Sequence, residues 1–114
     1  MHELGITQNI VRIVQEEAAR AGATRISTVK LRVGEMTGIV DRSLRFCFEF
    51  CAKGTIAEGA ALEIERISLR ARCKGCAKEF TVEDYRLVCP TCESRQVEIT
   101  EGKELQVQEL EVEE

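Results

Sequence analysis

Apolar residues recur along the chain in two rhythms, one of helices and one of strands. Between residues 6 and 21, Ile6, Ile10, Ile13, Val14, Ala18 and Ala21 return at spacings of three and four, and Gly22 supplies a C-terminal stop. That spacing predicts an amphipathic helix. Val29, Leu31 and Val33 then alternate with Lys30 and Arg32, which predicts a half-buried strand interrupted by Gly34 and Gly38. The helical repeat returns after Asp41, the expected cap. Leu44, Cys47, Phe48 and Cys51 make one stripe, Phe46 and Phe50 widen it, and Gly54 ends the segment. Three of the chain's four phenylalanines fall here, so this is the expected core helix. Leu62 and Ile64 alternate with Glu63 and Glu65 in a second strand. Residues 103–112 read as a third, bulged because Leu105 and Val107 change parity before Leu110 and Val112.

This order predicts an α/β or α+β unit, a small three-stranded mixed sheet packed with two helices. The second helix permits a right-handed parallel crossover between the first two strands, and the last strand joins after a long excursion. Residues 1–66, completed by about 103–114, therefore form one domain, and residues 67–102 are an insertion with linkers. The acidic run 109–114 reads as a frayed, solvated end.

Length and charge narrow the function. A chain of 114 residues has room for one modest core, and a net charge of -4 provides no global field for nucleic acid or an anionic membrane. No apolar run reaches the 18 residues of a membrane span. The opening stretch carries Glu3, Arg12, Glu16, Glu17 and Arg20 in place of a signal-peptide core, so a cytoplasmic protein without a membrane partner is expected. The single histidine, His2, sits at the terminus and leaves no imidazole-based catalytic set. The expectation is a protein that is not an enzyme.

The cysteines carry more chemistry. Cys73 and Cys76 form one CxxC, Cys89 and Cys92 another, with twelve residues between the pairs. Each turn can aim two thiolates at one point, and a hairpin can bring the pairs into a tetrahedral four-sulfur site that suits zinc. A dithiol redox pair would want a βαβ context, and an iron electron carrier would not need the attached α/β body. With only Phe80, Tyr85, Leu87, Val88 and Val97 as large apolar residues, the insertion is expected to lack a core and to depend on the metal. Closed coordination makes the zinc structural. Cys47 and Cys51, among phenylalanines, read as core residues. A zinc-ribbon nucleic-acid adaptor is the rival reading. Between Arg70 and Arg95, six bases and four acids give a net of +2, which a doubly negative zinc–thiolate cluster would cancel.

The free chain end is a second candidate site. A bulky second residue favours retention of Met1. Its α-amine, the His2 backbone nitrogen and the His2 imidazole can close adjacent chelate rings on one ion, and Glu3 can add a donor. Deprotonating a backbone amide calls for a strongly Lewis-acidic ion with tetragonal preference, which selects nickel or copper.

The start MHELGITQNIV, the segment KLRVGEMTGIVDRSLRFCFE, the pairs CKGC and CPTC, and the ending GKELQVQELEVE together resemble the HypA/HybF family of hydrogenase-maturation nickel metallochaperones. The resemblance spans the chain from Met1 to the last strand. It implies nickel, as transient cargo, at Met1 and His2 with Glu3, and zinc at Cys73, Cys76, Cys89 and Cys92. It also implies delivery with the GTPase HypB to the [NiFe]-hydrogenase large subunit. Asp41 matches a family acid suggested to lie near the nickel. Some members have histidine beside the second CxxC where this chain has Glu93 and Ser94, so an all-sulfur zinc site is implied. Some members also serve urease, and these residues do not separate the two clients.

Overall fold

The computed structural model describes residues 3–114; Met1 and His2, two of the expected nickel ligands, lie outside the described residues. The elements run α1 (Glu3–Arg20), β1 (Arg25–Gly34), α2 (Asp41–Ala52), β2 (Ala61–Ile67), β3 (Arg70–Cys73), β4 (Glu79–Thr81), β5 (Val97–Glu101) and β6 (Leu105–Glu113). A short 3-10 turn, Glu35–Thr37, follows β1. They cluster into two units, one of Met1–Arg32, Ile39–Glu65 and Gln106–Glu114, the other of Val33–Gly38 and Arg66–Leu105.

The first unit is built on a mixed three-stranded sheet of order β2-β1-β6, with α1 and α2 packed together. β6 runs antiparallel to β1: the Thr24 N–H donates to Glu113 O at 2.8 Å, and Lys30 Nζ lies 2.9 Å from Glu109. That carboxylate's hydrogen bond raises the Lys30 ammonium above its ordinary value. β2 runs parallel to β1, with Ile26 N–H donating to Ile56 O and Arg32 beside Glu65. Parallel pairing needs a crossover, and α2 provides it.

Helix α1 begins earlier than its apolar spacing suggested and buries Thr7, Ile10, Val11, Val14 and Ala18. Ile13 and Ala21, expected on that stripe, are exposed. Helix α2 corrects two expectations. Leu44, Phe48 and Ala52 are buried, with Cys47 and Cys51 half-buried beside them. Phe46 and Phe50 are 71% and 62% exposed. At 100° per residue they stand on the side opposite Leu44 and Phe48, so only one of the three phenylalanines serves the core. Asp41 is not the cap: Val40 takes that position without a side-chain bond, and Asp41 is the first helical residue. There its carboxylate faces the positive end of the helix dipole.

The second unit holds an antiparallel sheet of order β4-β3-β5. Ala71 pairs with Phe80 on one side and Ile99 on the other, and Cys73 pairs with Val97. Leu69, Ala71, Cys73, Phe80, Val82 and Cys89 form a small core, with Val97 and Ile99 packed on it. The insertion therefore has a core after all, and Tyr85 and Leu87 are not in it. Val33–Gly38 joins this unit at a close backbone crossing. Gly34 N–H donates to Glu104 O at 2.7 Å, and a Cβ on Gly34 would stand 2.1 Å from Gly102 O. Only glycine fits there. Among the described residues no helix is long and apolar enough to cross a membrane.

Candidate metal centre

The two CxxC segments fold into the same turn. Cys73 ends β3; its N–H donates to Lys78 O and its carbonyl accepts from Ala77, both at 2.9 Å. Cys89 repeats the pattern with Ser94 O and the Glu93 N–H, again at 2.9 Å. In each turn the residue four after the first cysteine has positive φ, Ala77 at 64° and Glu93 at 60°. Side chains rarely adopt that region, so the hydrogen bonds of the turn must hold it. Each knuckle also turns backbone N–H groups toward sulfur: Gly75 and Cys76 donate to Cys73 Sγ at 3.3 and 3.5 Å.

The knuckles face one another. Cys73 Sγ lies 3.5 Å from Cys92 Sγ, and Cys76 Sγ lies 3.7 Å from Cys89 Sγ. All four sulfurs fall within 4.8 Å of one another, the only group of three or more metal-ligating side chains among the described residues. Sulfurs bound tetrahedrally to zinc at about 2.3 Å stand about 3.8 Å apart, so the donor set and its spacing fit one such ion. Cys73 and Cys89 are buried, and Cys76 and Cys92 are exposed.

Crowding and backbone dipoles split the thiols. The N–H groups of Cys76 and Gly75 lower Cys73, against the opposing effect of burial. Those of Cys92 and Thr91 lower Cys89 to about 6. The Ser94 N–H favours the Cys92 thiolate, but Cys73, burial, Cys89 and Cys76 outweigh it and push that thiol up to about 12. Four thiolates so close cannot all ionise without a cation among them. A bound metal ion resolves that conflict and takes the place of the protons.

Of the other predicted site residues, Glu3 opens α1 and is half-buried. Its carbonyl and that of Leu4 accept from the hydroxyl of Thr7, which also touches Cys51 of α2. Asp41 starts α2, ten residues and about 15 Å of helix from Cys51. Thr7 was missed in the sequence because a polar residue inside an apolar stripe reads as a surface position. Ala77 and Glu93 carry no turn signal, since neither is a residue type that favours positive φ.

Against known proteins, residues 1–112 match the family described as hydrogenase/urease nickel incorporation metallochaperone, HypA. The chain belongs to the HypA family. It is 46% identical over 113 residues to the hydrogenase maturation factor HypA of Geobacter sulfurreducens, covering 99% of this chain and 100% of that one. A HypA of Rippkaea orientalis is 44% identical over 114 residues, covering 100% and 97%. The solution structure of the Ni metallochaperone HypA from Helicobacter pylori superposes with a TM-score of 0.72 at 27% identity, over 99% of this chain and 98% of that one. A second HypA solution structure gives 0.75 at 28%, over 98% and 96%. Membership places the chain among maturation factors, and the four-cysteine cluster is a metal-binding feature of a HypA protein.

Proposed function

We propose that the protein is a nickel carrier that binds Ni(II) through the Met1 amine and His2, with Glu3 contributing, and delivers it during maturation of [NiFe]-hydrogenase. The GTPase HypB and the hydrogenase large subunit are its partners, the cytoplasm is its location, and it performs no catalysis of its own. Zinc is its resident ion, held by Cys73, Cys76, Cys89 and Cys92. Residues 1–66 with about 103–114 make the nickel domain, and residues 67–102 the zinc domain. Asp41, the first residue of α2, is kept as the acid proposed to lie near the nickel.

The observation that carries this reading is the match of the whole chain to a nickel-incorporation family, in a sequence that opens Met-His-Glu. The start of α1 supports it chemically. The first N–H groups of a helix have no intrahelical partner, so backbone nitrogen at this end can be given to a metal without breaking a helical bond. All-nitrogen coordination with a deprotonated amide suits nickel.

The test compares the native chain with His2→Ala and with a form extended by a few residues ahead of Met1. The first removes the imidazole; the second keeps every side chain and converts the amine to an ordinary amide. Both should lose tight nickel binding in a calorimetric titration while keeping their zinc. Hydrogenase activity in cells should fall and be partly restored by excess nickel. Equal nickel affinity in the extended form would show that the amine is not a ligand and would overturn the reading.

A further inference from the structure

Inside the apolar contact between α1 and α2 there is one polar junction. Thr7 is fully buried, one of two buried polar side chains among the described residues. Its Oγ1 lies 2.9 Å from both Glu3 O and Leu4 O, and 3.6 Å from Cys51 Sγ. A hydroxyl has a single proton. With that proton engaged by the carbonyls, the oxygen keeps lone pairs that can accept from the Cys51 S–H across the helix pair. The connection runs from the Cys51 thiol through Thr7 to the backbone of the first turn of α1. No buried side-chain nitrogen or oxygen among the described residues lacks a partner, Thr7 included.

Threonine is a poor choice here on helix stability alone. It is β-branched, and a hydroxyl bonded back to the preceding turn tends to bend a helix. Valine has the same shape and would fill the same space against α2 without a buried hydroxyl. What threonine adds is a bond to the carbonyls of Glu3 and Leu4. Helix ends fray, and this bond, anchored on a second helix, opposes fraying at the turn that follows the cargo residues.

We propose that Thr7, held by the Cys51 thiol, is a positioning residue for nickel: it keeps the first turn of α1 ordered, so that the donors at the chain's start meet the ion from a fixed base. The inference rests on the N-terminal nickel reading. A site that is ordered only part of the time binds more weakly in proportion to the ordered fraction. Losing this bond should therefore weaken nickel binding by about three- to tenfold.

The test titrates nickel sulfate into the zinc-loaded full chain with its native terminus, as wild type, Thr7→Val, Thr7→Ser, Cys51→Ala and His2→Ala. Affinity, the visible circular dichroism of bound nickel and the unfolding midpoint are measured for each, all at a temperature where every variant is folded. Thr7→Val should weaken nickel and alter the dichroism with zinc unchanged, Thr7→Ser should restore both, and Cys51→Ala should weaken nickel less than Thr7→Val. A purely structural threonine would move the midpoint and leave the affinity and dichroism alone, which would overturn the inference. So would wild-type affinity in Thr7→Val alongside lost binding in His2→Ala. Should Thr7→Val fail to fold, Cys51→Ala decides, and wild-type affinity there removes the anchor. Undiminished binding in His2→Ala would instead sink the nickel reading, and this inference with it.

Discussion

In the first unit, Val14, Ile26, Val29, Leu31 and Leu44 are each 1% exposed or less, so two helices and a sheet close over a core made of hydrocarbon. In the second, two of the six residues of the central cluster are Cys73 and Cys89, whose sulfurs also belong to the metal group. One unit stands on apolar burial, and the other divides its core between burial and coordination. Removing a metal from the second unit would thus free two residues of its interior from the bonds that crosslink them. The first unit's core contains none of these metal-ligating cysteines.

The largest effect should come from Cys89→Ser, which removes a ligand and a core residue together. It should release the metal and unfold residues of about 70–101, while the first unit keeps its amide dispersion in nitrogen-edited spectra. A ribbon that stayed dispersed and metal-loaded would show that its core suffices alone. Acid should act on the same site more gradually. Cys89 is lowered to about 6 from an ordinary 9.0, so its thiolate contribution is complete above about 9 and lost as pH falls through about 6. Metal affinity should weaken as pH falls, because protons compete with the ion for the same sulfurs, and a metal titration at several pH values measures this. Metal uptake at pH 7 should expel at least the proton of Cys92, whose thiol is pushed up to about 12, and proton release in weak buffer measures this. On the first unit, Leu44→Ala should cost about 3 kcal/mol in denaturant unfolding with no change in zinc content. The smallest effect belongs to Phe46→Ser on the same helix, within about 0.5 kcal/mol, because its ring is already in water. A large loss there would mean that the outward face of α2 is covered in solution.

The elements of the first unit were legible because long elements repeat their pattern enough times to be counted. α1, β1 and β2 were found this way, and β6 shows half-burial at Val107 and Leu110, three apart, as its change of parity suggested. The same counting failed on α2, where every aromatic was credited to the buried stripe. A helix has two faces, and Phe46 and Phe50 repeat at four just as Leu44 and Phe48 do. β3, β4 and β5 went unread because they are three to five residues long and their inward positions include Ala71 and Cys73, too small to mark an apolar face. The cysteine group was legible for the opposite reason: its signal is covalent spacing, which needs no periodicity. The Thr7–Cys51 junction was invisible, since the two residues are 44 apart in the chain and only packing joins them.

The crossing at Gly34 and the late position of β6 have a consequence for the order in which the protein is made. α1 leaves the ribosome first, then the four cysteines, and last the strand that completes the first sheet. The ribbon's own strands end at Glu101, before β6 begins at Leu105. The ribbon's strands and its four cysteines can therefore close without β6, whereas the first sheet is complete only when the last strand of the chain pairs with β1.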